Sequence, residues 1–444
     1  MDIKSEISQN GPNGRTNNNC VNYAVIKKST LKQNGTNRNS NIELFRIIAT
    51  SLVLIVHFND FFVGGVTTNT ELSDLCTQDF CQLFIQAISC CCVNCFLVIS
   101  GWFSIKLKFS ALWNLWVILI GVYVPMWLLG IILGANLPIK DLINSIIAFS
   151  KESYFIQLYL MLIFLSPMLN TFVEKYNTYL LRYSIIFCSI EFLMEFCFHN
   201  KCLYIANGYS LIHFIIMYLL GRAAFIKQDK IKCISARWWF ILYFVMVLTI
   251  FGSRIFGGGR MVHYAFSYSN PIVICESFFL FFGFWKLSLN SPIINWIASS
   301  TLFVYLLQVN SPIYEYLCKI DIYLLKTTSY FVYLLLTCGI IILYFVIATI
   351  YGKIIKSLLD RMLQPIKIEL TKITQEFFLQ FRQVISCFLK KHIHKKHECP
   401  YDNLYNVHYK EETLFDRSPL FVKLLRNTIS KSLLYNPIDI TTIE

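Results

Sequence analysis

The chain has 444 residues, 56% of them hydrophobic and only 15% charged, with a mean hydropathy of +0.54. A soluble domain of this size carries roughly 25% charged residues, so the composition excludes an ordinary water-soluble enzyme. The formal charge of +13 does not point to nucleic acid, because most of the Lys and Arg fall between apolar runs and in the C-terminal tail, where topology and anionic lipid explain them better.

In chain order, residues 1–41 come first. They are rich in Asn, Lys and Ser and carry no secretory signal, and they read as a disordered cytoplasmic segment. Apolar runs follow, each close to the ~20 residues that cross a bilayer as a helix. They predict ten spans, roughly 42–62, 81–104, 109–133, 153–172, 179–198, 208–227, 237–256, 269–287, 293–315 and 328–351. Helices are expected because a span must satisfy its own backbone and the runs lack strict alternation. The expected fold is therefore all-α, a polytopic transmembrane bundle of about ten spans over residues 42–352.

Loop charges set the expected orientation. Glu71, Asp74 and Asp79 stand between spans one and two without Lys or Arg, whereas Lys106 and Lys108 follow span two. After span six come Arg222, Lys227, Lys230, Lys232 and Arg237. Lys/Arg counting places the basic loops and both termini in the cytoplasm of an inner-membrane protein. Arg254 and Arg260 are exceptions that face outward; such charges mark a miscounted span or a use, and an anionic sugar is one use open to Arg254.

Residues 353–444 leave the membrane. Leu358, Leu359, Met362, Ile366, Leu370, Ile373, Phe377, Phe381, Val384 and Phe388 recur at helical spacing among Lys and Arg. This predicts a basic amphipathic helix to about residue 391, suited to an anionic inner surface or to self-association. His392, His394, His397 and Cys399 read as a solvated tail rather than a metal site. The 16 Cys do not make a disulfide scaffold in so long a chain. Cys90, Cys91, Cys92 and Cys95 lie in an apolar run as small hydrophobes. A Cys92/Cys95 metal or redox pair lacks a second ligand pair, and no metal is predicted.

Ionisable residues at membrane depth are costly and are functional candidates by default. Arg46 and His57 are eleven residues apart on span one, which returns them to nearly one helix face about 16 Å apart along the axis. Arg holds phosphate through paired charge-assisted bonds, and neutral His is a good base for a hydroxyl proton near pH 7. Asp60 stands where it can orient the His57 ring. The rival reading has Arg46 snorkelling and paired with Glu43, and His57 packed against a carbonyl. Glu191 and Glu195 share a face of span five, and His213 and Glu276 sit mid-span; these can pair inside the bundle or line an acceptor path. Ser100, before Gly101, shapes a helix end.

Arg46, ten intervening residues and His57 resemble the signature of the family-3 membrane acyltransferases. Asn94, Phe96 and Ser100-Gly101-Trp102-Phe103 resemble that family's aromatic segment ending in Ser-Gly-aromatic. Further similar pieces are Leu165-Ser166-Pro167 through Asn170, Gly208-Tyr209-Ser210 with Tyr218 to Gly221, and Asn295-Trp296 with Thr301 to Leu306. The ordered series covers residues 41–352. Many relatives carry His-Glu after the Tyr-Leu-aliphatic of the last piece, where Gln308-Val309 stands here.

The resemblance implies a transferase of acyl groups other than aminoacyl, with acetyl-CoA as donor and a hydroxyl of a carbohydrate as acceptor. It implies Arg46 as donor-binding and catalytic, and His57 as catalytic, acting directly or through an acylated ring. The rivals are a glycan exporter with an ion pathway through Arg46, His57, Glu191 and Glu276, and a membrane scaffold recruiting partners through its tail. No inverted repeat or paired interrupted helices favour the exporter.

Overall fold

Branched aliphatic and aromatic side chains fill each apolar run, and each run closes into a helix; among the described residues there is no strand. The computed structural model describes residues 39–376, apart from 68–69, 71, 135, 149, 151–153, 199–206 and 259. The expected N-terminal segment before residue 39 lies outside these, as do Phe377, Phe381, Val384, Phe388, His392, His394, His397 and Cys399. The side chain of Arg260 is likewise not described.

The first helix, α1 (Ser40–Val56), passes without a break into a π-helical turn, His57–Phe62. Then come α2 (Thr77–Ser89), α3 (Cys92–Phe103), α4 (Phe109–Ile132), the short α5 (Ile139–Ile146), α6 (Tyr154–Lys175) and α7 (Leu180–Phe198). The second half contains α8 (Leu211–Ile226), α9 (Ala236–Phe256), α10 (Pro271–Trp285), α11 (Pro292–Ala298), α12 (Thr301–Gln308), α13 (Ser311–Thr327) and α14 (Tyr330–Met362). A further helix over residues 364–376 covers the first part of the expected amphipathic segment.

Helix starts follow local chemistry. Ser210, Asn270 and Ser291 each accept a backbone N–H from the first turn of the helix they precede, and Pro271 and Pro292 open α10 and α11, where a missing N–H does no harm.

Among the described residues, six helices are long and apolar enough to cross a membrane: Ser40–Phe62, Thr77–Phe103, Phe109–Ile132, Tyr154–Lys175, Ala236–Phe256 and Tyr330–Met362. A seventh exists if Pro292–Gln308 and Pro312–Thr327, bent by 80°, count as one span. The other expected spans are helical but differ in kind. Residues 180–198 carry Arg182, Glu191 and Glu195, and α8 and α10 have only 16 and 15 residues. The run predicted as one span over 293–315 is divided by Ser299-Ser300 and by Val309-Asn310 into three helices.

At the centre, α1 packs against α2, α3, α10, α11, α12 and α14. Its N-terminus is pinned: the Asn41 side-chain amide donates to the carbonyls of Phe284 (3.3 Å) and Trp285 (2.9 Å), orphan acceptors at the end of α10. A close helix crossing joins α3 to α8. A Cβ built on Gly101 would stand 2.5 Å from the Tyr218 carbonyl oxygen, and one on Gly221 would stand 2.9 Å from the Gly101 Cα. Only glycine lets two backbones approach so closely. Outward, α14 presents Ile342, Leu343, Val346 and Ile347 and α7 presents Ile185, Ile186 and Ile190, the apolar faces that lipid requires.

Candidate functional site

Arg46, Thr50, Val53 and His57 recur at i, i+4, i+7 and i+11 and form one wall of a cavity of about 960 Å³. Helical periodicity produces this stripe, as the sequence spacing predicts. The opposite walls come from α3, α4, α6 and α12, including Ser100, Asn114, Tyr159 and Tyr305. Among the described lining residues the charged ones are Arg46 and Lys106, and there is no Asp or Glu. A cavity with two cations and no acid selects for an anionic occupant.

Arg46 occupies two environments at once. Its Nη1 donates to Glu43 Oε1 at 3.0 Å, and its side chain remains 38% exposed while that of Glu43 is 7% exposed. The pairing with Glu43 is thus present, and the rest of the five-donor guanidinium stays on the cavity side.

His57 opens the π-helical turn, a distortion that recurs at functional sites. Its Nδ1 is sealed from solvent with no hydrogen-bond partner, which leaves Nε2 as the ring nitrogen open to the cavity. An unpaired buried nitrogen costs about 1–3 kcal/mol, a cost that calls for an explanation. Asp60 does not supply the partner that its spacing suggests. The π-turn rotates it away, and its Oδ2 accepts from Gln86 Nε2 at 3.3 Å instead. Val309, in place of a relative's Glu, also lines the cavity, so no carboxylate reaches His57 from that side either.

Beyond the far end of the stripe lies a second chamber of about 270 Å³, which shares Val56, Phe61, Tyr209 and Tyr268 with the first. Its lining mixes apolar side chains with a polar set that includes Asn59, Asp60, Gln82, Gln86, Arg254, His263 and Ser267. Asn59 donates to the Gln82 carbonyl at 2.9 Å, and Gln82 donates to the Asn59 carbonyl at 2.6 Å, so the amides brace one another. Arg254, in the last turn of α9, is buried and donates to the carbonyls of Val66 (3.2 Å) and Thr67 (2.8 Å). That is one use for the charge that breaks the loop pattern: it fixes the segment after α1.

The remaining buried acids pair within the bundle and line neither chamber. His213 meets Glu191 Oε2 through Nδ1 (3.1 Å) and Asn94 Oδ1 through Nε2 (2.8 Å), and the Asn94 amide donates to the Tyr268 carbonyl at 2.9 Å. Glu195 accepts from Ser269 and Ser267. The Cys90 thiol donates to Glu276 at 3.5 Å. The exporter's ion pathway would need Glu191 and Glu276 beside Arg46 and His57, and they are engaged elsewhere. Ser100 donates to the Phe96 carbonyl within its own helix (2.8 Å), as a helix-shaping residue does. The Cys95 thiol lies 3.9 Å from Cys91.

Sequence reasoning gave the tyrosines no site role. Tyr154, Tyr159, Tyr209, Tyr268 and Tyr305 all line the main cavity; Tyr209 and Tyr305 fall within the family-like pieces, but nothing distinguishes Tyr154, Tyr159 and Tyr268 in the sequence from lipid-facing aromatics. It also missed the second chamber, whose amides lie on α2 and the π-turn and converge only in three dimensions.

No curated protein and no solved structure gives a significant match to the chain. The profile of the acyltransferase-3 family, described as an acyltransferase domain, matches residues 39–351, which contain α1 with its stripe and every wall of both chambers. The chain belongs to this family and is a membrane acyltransferase.

Proposed function

We propose that the protein moves an acetyl group from acetyl-CoA to a hydroxyl of a carbohydrate, with Arg46 binding the donor and His57 acting as general base. The observation that carries this reading is the acid-free cavity that joins a cation at one end to an unpaired imidazole at the other. Arg46 pairs with donor phosphate by charge-assisted bonds. The pantetheine arm lies along Thr50 and Val53 and brings the thioester to His57.

His57 Nε2 takes the proton of the acceptor hydroxyl as its oxygen attacks the thioester carbon. The C–S bond breaks, and the departing thiolate takes the proton back from the imidazolium. A sequential route needs no covalent enzyme. Acylation of His57 is the mechanistic alternative, suited to donor and acceptor arriving from opposite sides. The second chamber supports a carbohydrate acceptor, since Gln82, Gln86, Asn59 and Asp60 form a polar network beside the Tyr209 and Tyr268 rings, whose bonds a sugar hydroxyl can exchange for its own. The same reading has ten spans in an inner membrane, both termini cytoplasmic, the donor at the Arg46 end and the acceptor at the outer one.

Mass analysis of surface glycans tests it. A strain lacking the protein is expected to lose acetyl increments that wild-type protein restores and His57→Ala protein does not. Unchanged glycans, or rescue by His57→Ala, would refute the assignment.

A further inference from the structure

The helix in which the family match ends does not stop there. α14 runs unbroken to Met362, so the expected boundary at residue 352 falls inside a continuous helix. Its final turns wall a pocket of about 710 Å³ whose opposite side is Ser299 and Ser300. Lys353, Lys356 and Arg361 line this pocket, with Asp360 as the single acid. Gly352 seats the helix there: a Cβ at that position would stand 2.7 Å from the Phe303 ring of α12.

Ser299 lines both this pocket and the main cavity. Phe58 and Phe62, just past the His57 end of the stripe, pack with Ile340, Ile341 and Tyr344 of α14, and Gly352 and Lys353 lie about two turns further along that helix. The shared wall is therefore toward the Arg46 end. Lys353 Nζ donates to Ser299 Oγ, and it lies 4.8 Å from the centre of the half-exposed Trp296 ring. Across the cavity and the pocket together, Arg46, Lys106, Lys353, Lys356 and Arg361 share the lining with one acid, Asp360, and Arg46 has a second acid beside it, Glu43.

We propose that the Lys353–Lys356–Arg361 pocket binds the phosphate-bearing nucleotide end of the acyl donor, which makes residues 353–361 part of the substrate site. The inference rests on the acyl-CoA reading above. A thioester placed at His57 leaves the arm near Arg46 after about 16 Å of helix, and the nucleotide with its 3′-phosphate must then lie outside the main cavity. This pocket is the adjoining concave surface, and its charge is of the right sign. Basic residues at the end of a span also meet lipid headgroups; phosphate is the shared chemistry, and the donor differs from a lipid in being soluble.

The test is binding of CoA to purified wild-type, Lys356→Ala and Arg361→Ala proteins in neutral detergent, with 3′,5′-ADP as competitor. CoA is expected to bind wild type, 3′,5′-ADP to displace it, and each substitution to weaken CoA about tenfold, the loss of roughly one charge-assisted bond. The KM for S-acetylpantetheine, which lacks the nucleotide, is expected to stay unchanged in both variants. Wild-type affinity in folded variants, no displacement by 3′,5′-ADP, or an effect of the substitutions only after anionic phospholipid is added would each overturn the proposal while leaving the acyl-CoA reading standing. Failure of wild type to bind CoA at all would overturn both. Displacement is read on wild-type protein, so it decides the matter even where a variant fails to fold.

Discussion

Two histidines in this bundle are treated in opposite ways. His213 is fully buried, and both ring nitrogens are engaged, one with Glu191 and the other with Asn94. Because the Asn94 amide donates to the Tyr268 carbonyl, its oxygen faces His213, and Nε2 must be the donor. Nδ1 meets Glu191 Oε2, so neither ring nitrogen is left for a substrate. His57 has the reverse arrangement: one nitrogen sealed and unpaired, the other facing a cavity without acids. A paired histidine fixes structure; on the proposed mechanism, the unpaired one takes the proton that arrives with the substrate.

The contrast breaks first at His57. His57→Ala is expected to lower turnover by roughly 10²–10⁴-fold, the usual contribution of a general base, while thermal stability in detergent holds or rises because an unsatisfied nitrogen is removed. Near-normal turnover of the folded variant would make His57 as structural as His213. The second break is at His213→Leu, where the loss appears in stability. Removing one partner of a buried pair costs about 3–5 kcal/mol, and the double variant with Glu191→Met is expected to regain much of it. A destabilisation no larger for His213→Leu than for the double variant would show that the pair is not coupled.

Both histidines, and both acids on span five, are legible in the sequence as charges in apolar runs. Their division into site and scaffold is not. The Arg46–His57 spacing marks the site because helical periodicity alone puts both on one face. The partner of His213 lies 22 residues away and Asn94 lies 119 away, and only packing brings them together. Asp60 misleads for a related reason: three residues after His57 predicts a neighbour in an α-helix, but the chain makes a π-turn there. The span count is read from hydropathy and is vulnerable where helices are short, charged or broken, as α7, α8, α10 and the run α11–α13 are. The bend after Gln308 leaves that side chain buried with both polar atoms unpaired, and hydropathy carries no sign of it.

The scaffold side sharpens at the α3–α8 crossing, which carries Asn94 and His213 on the two helices. Gly101→Ala would drive a methyl group into backbone on the facing helix, and helices cannot yield as a side-chain tip does. Overpacking of this kind costs about 1–3 kcal/mol. Gly252→Ala, with nothing within 4 Å of the added carbon, is the control and is expected to leave thermal stability unchanged or slightly raised. Equal melting temperatures for the two variants would mean that the crossing does not depend on close backbone approach.

The smallest effect is expected at Arg46, where the two roles meet in one side chain. Its guanidinium pairs with Glu43 through Nη1 and lines the donor end of the cavity with what remains. Arg46→Lys keeps the positive charge but gives up the planar fork, so it can satisfy Glu43 or a phosphate oxygen but not both in fixed geometry. Binding loses about one charge-assisted bond, roughly tenfold in donor affinity or ~1.4 kcal/mol. Turnover at saturating donor is expected to change little, because Arg46 stands about 16 Å along the helix from His57 and takes no part in proton transfer. Loss of uniform binding raises KM and leaves kcat. Glu43→Gln separates the roles: it frees Arg46 from its ion pair, so donor affinity is expected to hold or improve if phosphate is the true partner. A fall in kcat with KM unchanged in Arg46→Lys would instead make Arg46 part of the reacting centre, and unchanged values of both would leave it an anchor at the headgroups.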